Sequence, residues 1–212
     1  MFRPILRSNF GDKPLRIIMK IIHTSIADVK LLEPQVFGDE RGHFFETFRD
    51  AWFKQHIASV DFVQDNQSLS TQGTLRGLHY QLQQPQGKLV RVIAGEIFDV
   101  CVDLRLGSPT FGQWTGQYLS ANNRRQMWIP AGFAHGFYVL SATAVCHYRC
   151  SDYYAPQDEH SIRWNDTELG IDWPKQNNVP LIISDKDRQA GSFNDAKLFD
   201  FNRLTAGNVH GK

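Results

Sequence analysis

The chain is read as an all-β sandwich or barrel carrying few helices, and three observations point there. Short apolar-alternating segments follow one another at close spacing, turn residues separate them, and one stretch alone has a convincing helical signal. The clearest pair lies in residues 74–105, TLRGLHYQLQQPQGKLVRVIAGEIFDVCVDLR, hinged at Ala94-Gly95. In its second segment Phe98, Val100, Val102 and Leu104 share one face, because strand side chains alternate with period two. The opposite face carries Ile97, Asp99, Cys101, Asp103 and Arg105. Charges within so apolar a run leave two readings open: a sheet with one face in solvent, or a barrel whose lumen is polar because it holds a ligand.

The elements follow in order. Residues 1–18 are basic and broken by two prolines and a glycine, and lack the continuous apolar core of a signal peptide. They read as an extension outside the core, with a single domain over 19–212 that closes in a polar tail. Residues 31–37 lead into FGDERGHFFETF, where Gly38-Asp39 and Arg41-Gly42 are turn material and Phe44, Phe45 and Phe48 are core candidates. Residues 50–57 fit a short helix capped by Asp50. Residues 62–68, FVQDNQS, return to strand with an unusually polar centre, and 70–74 read as loop. After a turn at 106–109 come a strand over 113–119 and a polar turn at 122–125. Two further strands follow over 127–140 and 143–149, and the tail from 184 onward is polar.

Composition bounds the function classes. At 42% hydrophobic, 21% charged and net charge +1, the chain of 212 residues is ordinary globular material with no overall attraction to nucleic acid or an anionic membrane. Any anionic ligand must meet a local cluster of Arg and Lys. No apolar run approaches the roughly 18–20 residues of a membrane-spanning helix. Cys101, Cys146 and Cys150 form no Cys-x-x-Cys pair, which argues for a reducing compartment, the cytoplasm by default, and against a disulfide framework or zinc site.

The most specific short pattern is Pro130-x-Gly132-x-x-His135, which matches the second motif of the cupin jelly roll. The expected fold is therefore an all-β cupin-type jelly-roll barrel or sandwich with a few short helices. Metal-binding cupins carry a His-x-His pair and a downstream Glu in the first motif, whereas this chain reads His79-Tyr80-Gln81. Two histidines without a proper third donor do not make a metal site, so none is expected. His79 is then free to act as acid or base, since imidazole titrates near neutrality. The reaction that suits a base without a cofactor is proton abstraction beside a carbonyl. It needs a cation near the developing enolate oxygen, for which Lys88 is the candidate, and an acid to return the proton. Tyr148 shares a strand face with Cys146 and Cys150 and can reach a lumen, although position alone leaves it as plausible core. Arg41, Arg76, Arg91, Arg124 and Arg125 are scattered; each is a solvated residue or a phosphate ligand.

At this point the residues resemble a family, the dTDP-4-dehydrorhamnose 3,5-epimerases. The likeness spans about 19–187 and rests on FGDERGHFFETF, FVQDNQS, LRGLHYQ, QGKLVRVIAGEIFDVCVDLR, SPTFGQW, WIPAGFAHGF, DYYAP and IRWND. It implies a homodimer of jelly rolls with exchanged N-terminal strands and neither metal nor organic cofactor. The implied reaction takes dTDP-4-dehydro-6-deoxy-D-glucose to dTDP-4-dehydro-L-rhamnose. By the resemblance His79 is the base for C3 and C5, Asp187 its carboxylate partner, Tyr148 the acid and Lys88 the cation at the enolate. Arg41, Glu46, Gln64, Asn66, Arg76, His135, Glu159 and Lys186 fall on its binding positions, with Tyr153 expected to stack on thymine. Tyr80 departs from the Phe of many relatives. Siblings that epimerise C3 or C5 alone, or move the keto group between C3 and C4, are the nearest alternatives. A non-catalytic sugar-nucleotide-binding cupin and a metal-dependent cupin are more distant ones.

One local conflict yields a structural expectation. On an ideal strand Arg76 and His79 point to opposite faces, so Gly77 is expected to host a bulge that re-aims one of them.

Overall fold

A computed structural model describes residues 19–202 and 204. The proposed extension over 1–18 lies outside the described residues. The chain opens with β1 (Lys20–His23), β2 (Lys30–Glu33), β3 (Phe37–Asp39) and β4 (Gly42–Phe44), then α1 (Asp50–His56). Next come β5 (Gln64–Thr71), β6 (Leu75–Gln81), β7 (Lys88–Ala94), β8 (Glu96–Asp103) and β9 (Arg105–Leu106). The series continues with β10 (Trp114–Ser120), β11 (Gln126–Ile129), β12 (Phe133–Val139) and β13 (Thr143–Cys150). It ends with β14 (Glu159–Ser161), α2 (Asp185–Arg188) and β15 (Phe199–Asp200).

Two antiparallel sheets form the body, ordered β1-β2-β11-β7-β13-β5 and β10-β8-β12-β6-β14. Between them pack Ile97, Cys101, Phe133, Phe137 and Val139 from the five-stranded sheet against Leu31, Val90, Met127, Ile129 and Cys146 from the six-stranded one. The outer face of the five-stranded sheet is also covered. Leu75, Leu78, Phe98, Val100 and Val102 lie under Ile162, Leu169, Trp173 and Phe199 of the C-terminal segment. Across the molecule, Phe53 of α1 covers Leu32, Leu89 and Trp128. Burial of both faces settles the reading of β8: every residue from Ile97 to Asp103 is buried, so neither face meets solvent. Buried carboxylates need partners. Asp103 has Arg105 at 2.8 and 2.7 Å, Ser108 at 2.6 Å and Thr110 at 2.7 Å.

The bulge is present. His79 pairs with His135 and Arg76 with Phe137, so β6 takes three steps where β12 takes two. Gly77 has φ +111, and its peptide bond to Leu78 is cis. A Cβ there would lie 2.6 Å from both Gly136 Cα and the His135 carbonyl oxygen, so only glycine fits. Arg76 and His79 thereby both face the lumen.

Several local expectations are corrected. Residues 127–140 form two strands in different sheets, because Pro130 and the positive φ of Gly132 turn the chain across the barrel. Strand β5 runs on to Thr71, into the supposed loop. Asp50 is the first helical residue rather than the cap; Arg49 holds the cap position without a side-chain bond, and Asp50 pairs with Lys54 at 3.1 Å. Phe48 packs on Phe53 and Phe62, but Phe44 is 67% exposed on a β3–β4 hairpin that pairs only with itself. The described part of the tail carries further structure, with β15 paired in parallel with β9 and Phe199 buried; residues 205–212 lie outside the described residues.

Replacing Gly77 with alanine is expected to destabilise the fold by about 2–3 kcal/mol, through forced separation of β6 and β12. Urea unfolding of Gly77→Ala against wild type measures this.

Candidate active site

A cavity of about 320 Å³ opens into the lumen, lined by residues of both sheets. Strand β6 contributes Arg76, His79 and Gln81; β12 contributes His135 and Phe137; β14 contributes Glu159. From the opposite sheet come Gln64, Asn66 and Ser68 of β5, Lys88 of β7 and Tyr148 of β13. These side chains meet because period-two alternation turns one face of every strand inward. Register aligns them in rows: Tyr148 sits between Asn66 and Val90, and Cys150 between Gln64 and Lys88. The polar centre of FVQDNQS is thus an inward row on an edge strand.

The His79–Asp187 pair is built from distant segments. His79 Nε2 bonds to Asp187 Oδ1, and Oδ2 of the same carboxylate accepts from Gly77 N at 3.4 Å, while the backbone N–H of Asp187, in α2, donates to the capping Ser184 Oγ at 3.1 Å. Asp187 is 3% exposed. Burial alone would raise its pKa, but the His79 bond and charge outweigh this and hold the carboxyl below its ordinary value. With Nε2 committed to Asp187, Nδ1 is the ring nitrogen left to meet a ligand. It lies 3.9 Å from Glu159 Oε1. Glu159 Oε2 accepts from Tyr154 Oη at 2.7 Å and pairs with Lys186. Burial works against ionisation of Glu159 too, but Lys186 and Tyr154 prevail and its pKa is lowered. The same bond pushes the Tyr154 phenol up to about 12.

Across the cavity from His79, on the other sheet, the Tyr148 phenol is raised by burial, so it stays protonated through neutral pH. Burial lowers Lys88, with the negative groups around it opposing that shift. The flanking thiols are no nucleophiles: burial pushes Cys146 up to about 12 and raises Cys150. Among the described residues no three His, Cys, Asp or Glu side chains converge as a metal ligand set. Gln81 instead spends its amide on the Gln84 and Tyr153 carbonyls and the Ala155 N–H, at 2.8, 3.1 and 3.0 Å.

Most expected residues gather here, and five do not line the cavity, one of them Asp187, which stands behind His79. Arg41 and Glu46 pair locally, with Asp39 at 2.5 Å and Arg49 at 2.8 Å. The hairpin bearing Arg41 pairs with neither main sheet, and Arg41 does not line the cavity of its own chain. Tyr153 is 59% exposed and gives only its backbone to Gln81; its neighbour Tyr154 lines the cavity. Lys186 acts through Glu159 from outside the lining. Sequence reasoning missed Tyr154, Gln86, Ser68 and Asp99. Asp99 alone carried a signal, a charge inside an apolar strand.

A carboxylate-backed imidazole facing a half-buried phenol and an ammonium across a jelly-roll lumen defines an acid–base enzyme of the cupin type, equipped for proton transfer at carbon beside a carbonyl. A family model described as dTDP-4-dehydrorhamnose 3,5-epimerase matches residues 23–195. A Pseudomonas aeruginosa protein of that name is 59% identical over 182 residues, covering 85% of this chain and 99% of that one. The crystal structure of dTDP-6-deoxy-D-glucose-3,5-epimerase from Legionella pneumophila, in complex with dTDP-4-keto-L-rhamnose, superposes with TM-score 0.84 at 53% identity, covering 86% and 98% of the two chains. ChmJ, a 3′-monoepimerase from Streptomyces bikiniensis in complex with dTDP-quinovose, reaches TM-score 0.81 at 33% identity, covering 89% and 100%. The chain belongs to the dTDP-4-dehydrorhamnose 3,5-epimerase family.

Asp187→Asn is expected to lower kcat by about 100-fold or more, as the ring loses the carboxylate that orients it. A depressed carboxyl pKa stabilises the fold above the unfolded value near 3.9, and the contribution disappears as pH falls through the folded value. The wild type therefore loses stability below about pH 4 more steeply than the Asn variant. Urea midpoints across a pH series measure the difference.

Proposed function

We propose that the protein converts dTDP-4-dehydro-6-deoxy-D-glucose to dTDP-4-dehydro-L-rhamnose by inverting C3 and C5. The observation that carries this reading is the placement of the His79–Asp187 couple and Tyr148 on opposite sheets with the cavity between them. Inversion at carbon requires a proton to leave one face of the ring and another to arrive on the other face. Both carbons adjoin the C4 ketone, so each abstraction gives an enolate. His79 Nδ1 takes the proton; Tyr148 returns one from across the lumen; the Lys88 ammonium stabilises charge on the C4 oxygen. This chemistry calls for neither metal nor organic cofactor. The double epimerisation is favoured over a single one by the 59% identity to a 3,5-epimerase, against 33% to the 3′-monoepimerase.

In this reading Arg76, His135, Gln64, Asn66, Glu159 and Lys186 bind the nucleotide sugar, and Tyr154 takes the stacking role expected of Tyr153. A homodimer with exchanged N-terminal strands would explain the β3–β4 hairpin, which exposes Phe37 and Phe44 and holds Arg41 beyond its own cavity. The same exchange would bring Arg41 and Glu46 to the partner's site. A cytoplasmic location accords with three free, buried thiols; no helix among the described residues is long and apolar enough to cross a membrane.

In D2O, wild-type protein is expected to place deuterium at both C3 and C5 of the substrate, read by NMR. Tyr148→Phe is expected to exchange protons yet leave epimerisation incomplete; deuterium at one carbon alone would assign a single epimerase. A second expectation concerns alkaline pH. Lys88 must be charged and its pKa is lowered, whereas the Tyr148 phenol is raised. Exchange should thus fail as pH rises through a value below that of ordinary lysine, and Tyr148→Phe should keep this limb.

A further inference from the structure

The cavity contains a second imidazole–carboxylate pair. His135 Nε2 lies 2.7 Å from Asp99 Oδ1, and Asp99 is fully buried. Its other oxygen, Oδ2, is enclosed and has no hydrogen-bond partner among the described residues. His135 pairs in register with His79 across β12 and β6, and both line the cavity. Directly opposite residues on antiparallel strands hold their Cβ atoms about 5 Å apart. The second ring thus stands beside the base.

A carboxylate enclosed on β8 is costly unless a positive group answers it. The group in contact with it is the His135 ring; Lys88 on β7 feels the same charge. Arg76 and His79 from β6 and Glu159 from β14 complete the charged lining. Holding Nε2 on Asp99 fixes the ring plane and leaves Nδ1 as the ring nitrogen free to meet a ligand, a donor when the ring carries both protons. A carbonyl oxygen has two lone pairs and accepts two donors. The negative charge behind His135 weakens its hold on a doubly charged diphosphate. It suits an oxygen that becomes charged only as the reaction proceeds.

We infer that Asp99 is a positioning residue, which aims His135 as a second hydrogen-bond donor, beside Lys88, at the sugar oxygen where enolate charge develops. The inference rests on the proposed epimerase reading and adds a group to it. Both residues of the pair act through one bond, so their losses overlap.

The test uses Asp99→Asn, His135→Gln and the double variant, each checked for folding by thermal unfolding. Exchange at C3 and C5 in D2O at saturating substrate is read by NMR, and dTDP affinity by calorimetry. Each single variant is expected to slow exchange by about 100-fold, the double no further than the slower single, with dTDP affinity held within about threefold. The 15N spectrum of the unmutated protein adds a reading independent of any variant: both His135 nitrogens should carry protons. Variants that exchange at the wild-type rate, multiplicative losses, or a collapse of dTDP affinity with exchange intact would each overturn the assignment. So would a His135 ring with one bare nitrogen. Wild-type protein that exchanges neither proton would overturn the epimerase reading itself, and this inference with it.

Discussion

The bond from His79 to Asp187 joins residues 108 positions apart and sets the terms for the rest of the structure. One partner lies on a strand of the five-stranded sheet; the other lies within a four-residue helix on the segment that runs over that sheet's outer face. The carboxylate can reach the ring only because β6 is opened by its bulge, where the Gly77 N–H also turns to Asp187 at 3.4 Å. A regular β6 would place Arg76 and His79 on opposite faces, and one of them would be lost to the lumen. The glycine that permits the bulge is therefore as much part of the site as the histidine it aims.

The lumen reconciles two demands that usually conflict. The barrel must bury enough apolar surface to fold, and it must keep polar groups at one end for a polar ligand. The inner faces divide the work along the strands. Ile97, Cys101, Met127 and Val139 fill one part of the space between the sheets, and the rows containing Tyr148, Asn66, Lys88 and Gln64 line the other. The polar part is held together by its own bonds: Gln64 to Asn66 at 3.0 Å, Asn66 to Cys150 at 3.7 Å, and Arg76 to Ser70 at 3.0 Å across the two sheets. Such mutual restraint lets the groups keep their aim without a ligand.

The period-two pattern made the all-β class legible, and the charges within GEIFDVCVDLR pointed to a polar interior. Alternation also brought Tyr148 to the right face. Gly77 was readable as a bulge because Arg76 and His79 had to share a side. What the chain could not disclose depends on long-range closure. Nothing local to Asp187 distinguishes it from Asp185 two residues earlier, and its partner was expected from family resemblance alone. Tyr153 and Tyr154 are adjacent and chemically alike, so a one-residue turn of the backbone decided which faces the cavity. The exposure of Phe44 arises because β3 and β4 leave both sheets, which composition cannot show.

The cover that the C-terminal segment lays over β6, β8 and β12 has a consequence for biosynthesis. A ribosome has threaded out every strand of both sheets by Ser161, yet the carboxylate that holds His79 follows only at residue 187. The roof of Leu169, Trp173 and Phe199 over Leu75, Phe98 and Val102 is likewise added only after Ser161 and completed after Asp187. A chain truncated in that interval would carry an imidazole without its partner and an apolar wall open to chaperones and proteases. Competence for proton transfer and concealment of the sticky surface are thus conferred by the same late stretch of translation, so an unfinished molecule is both inert and marked for removal.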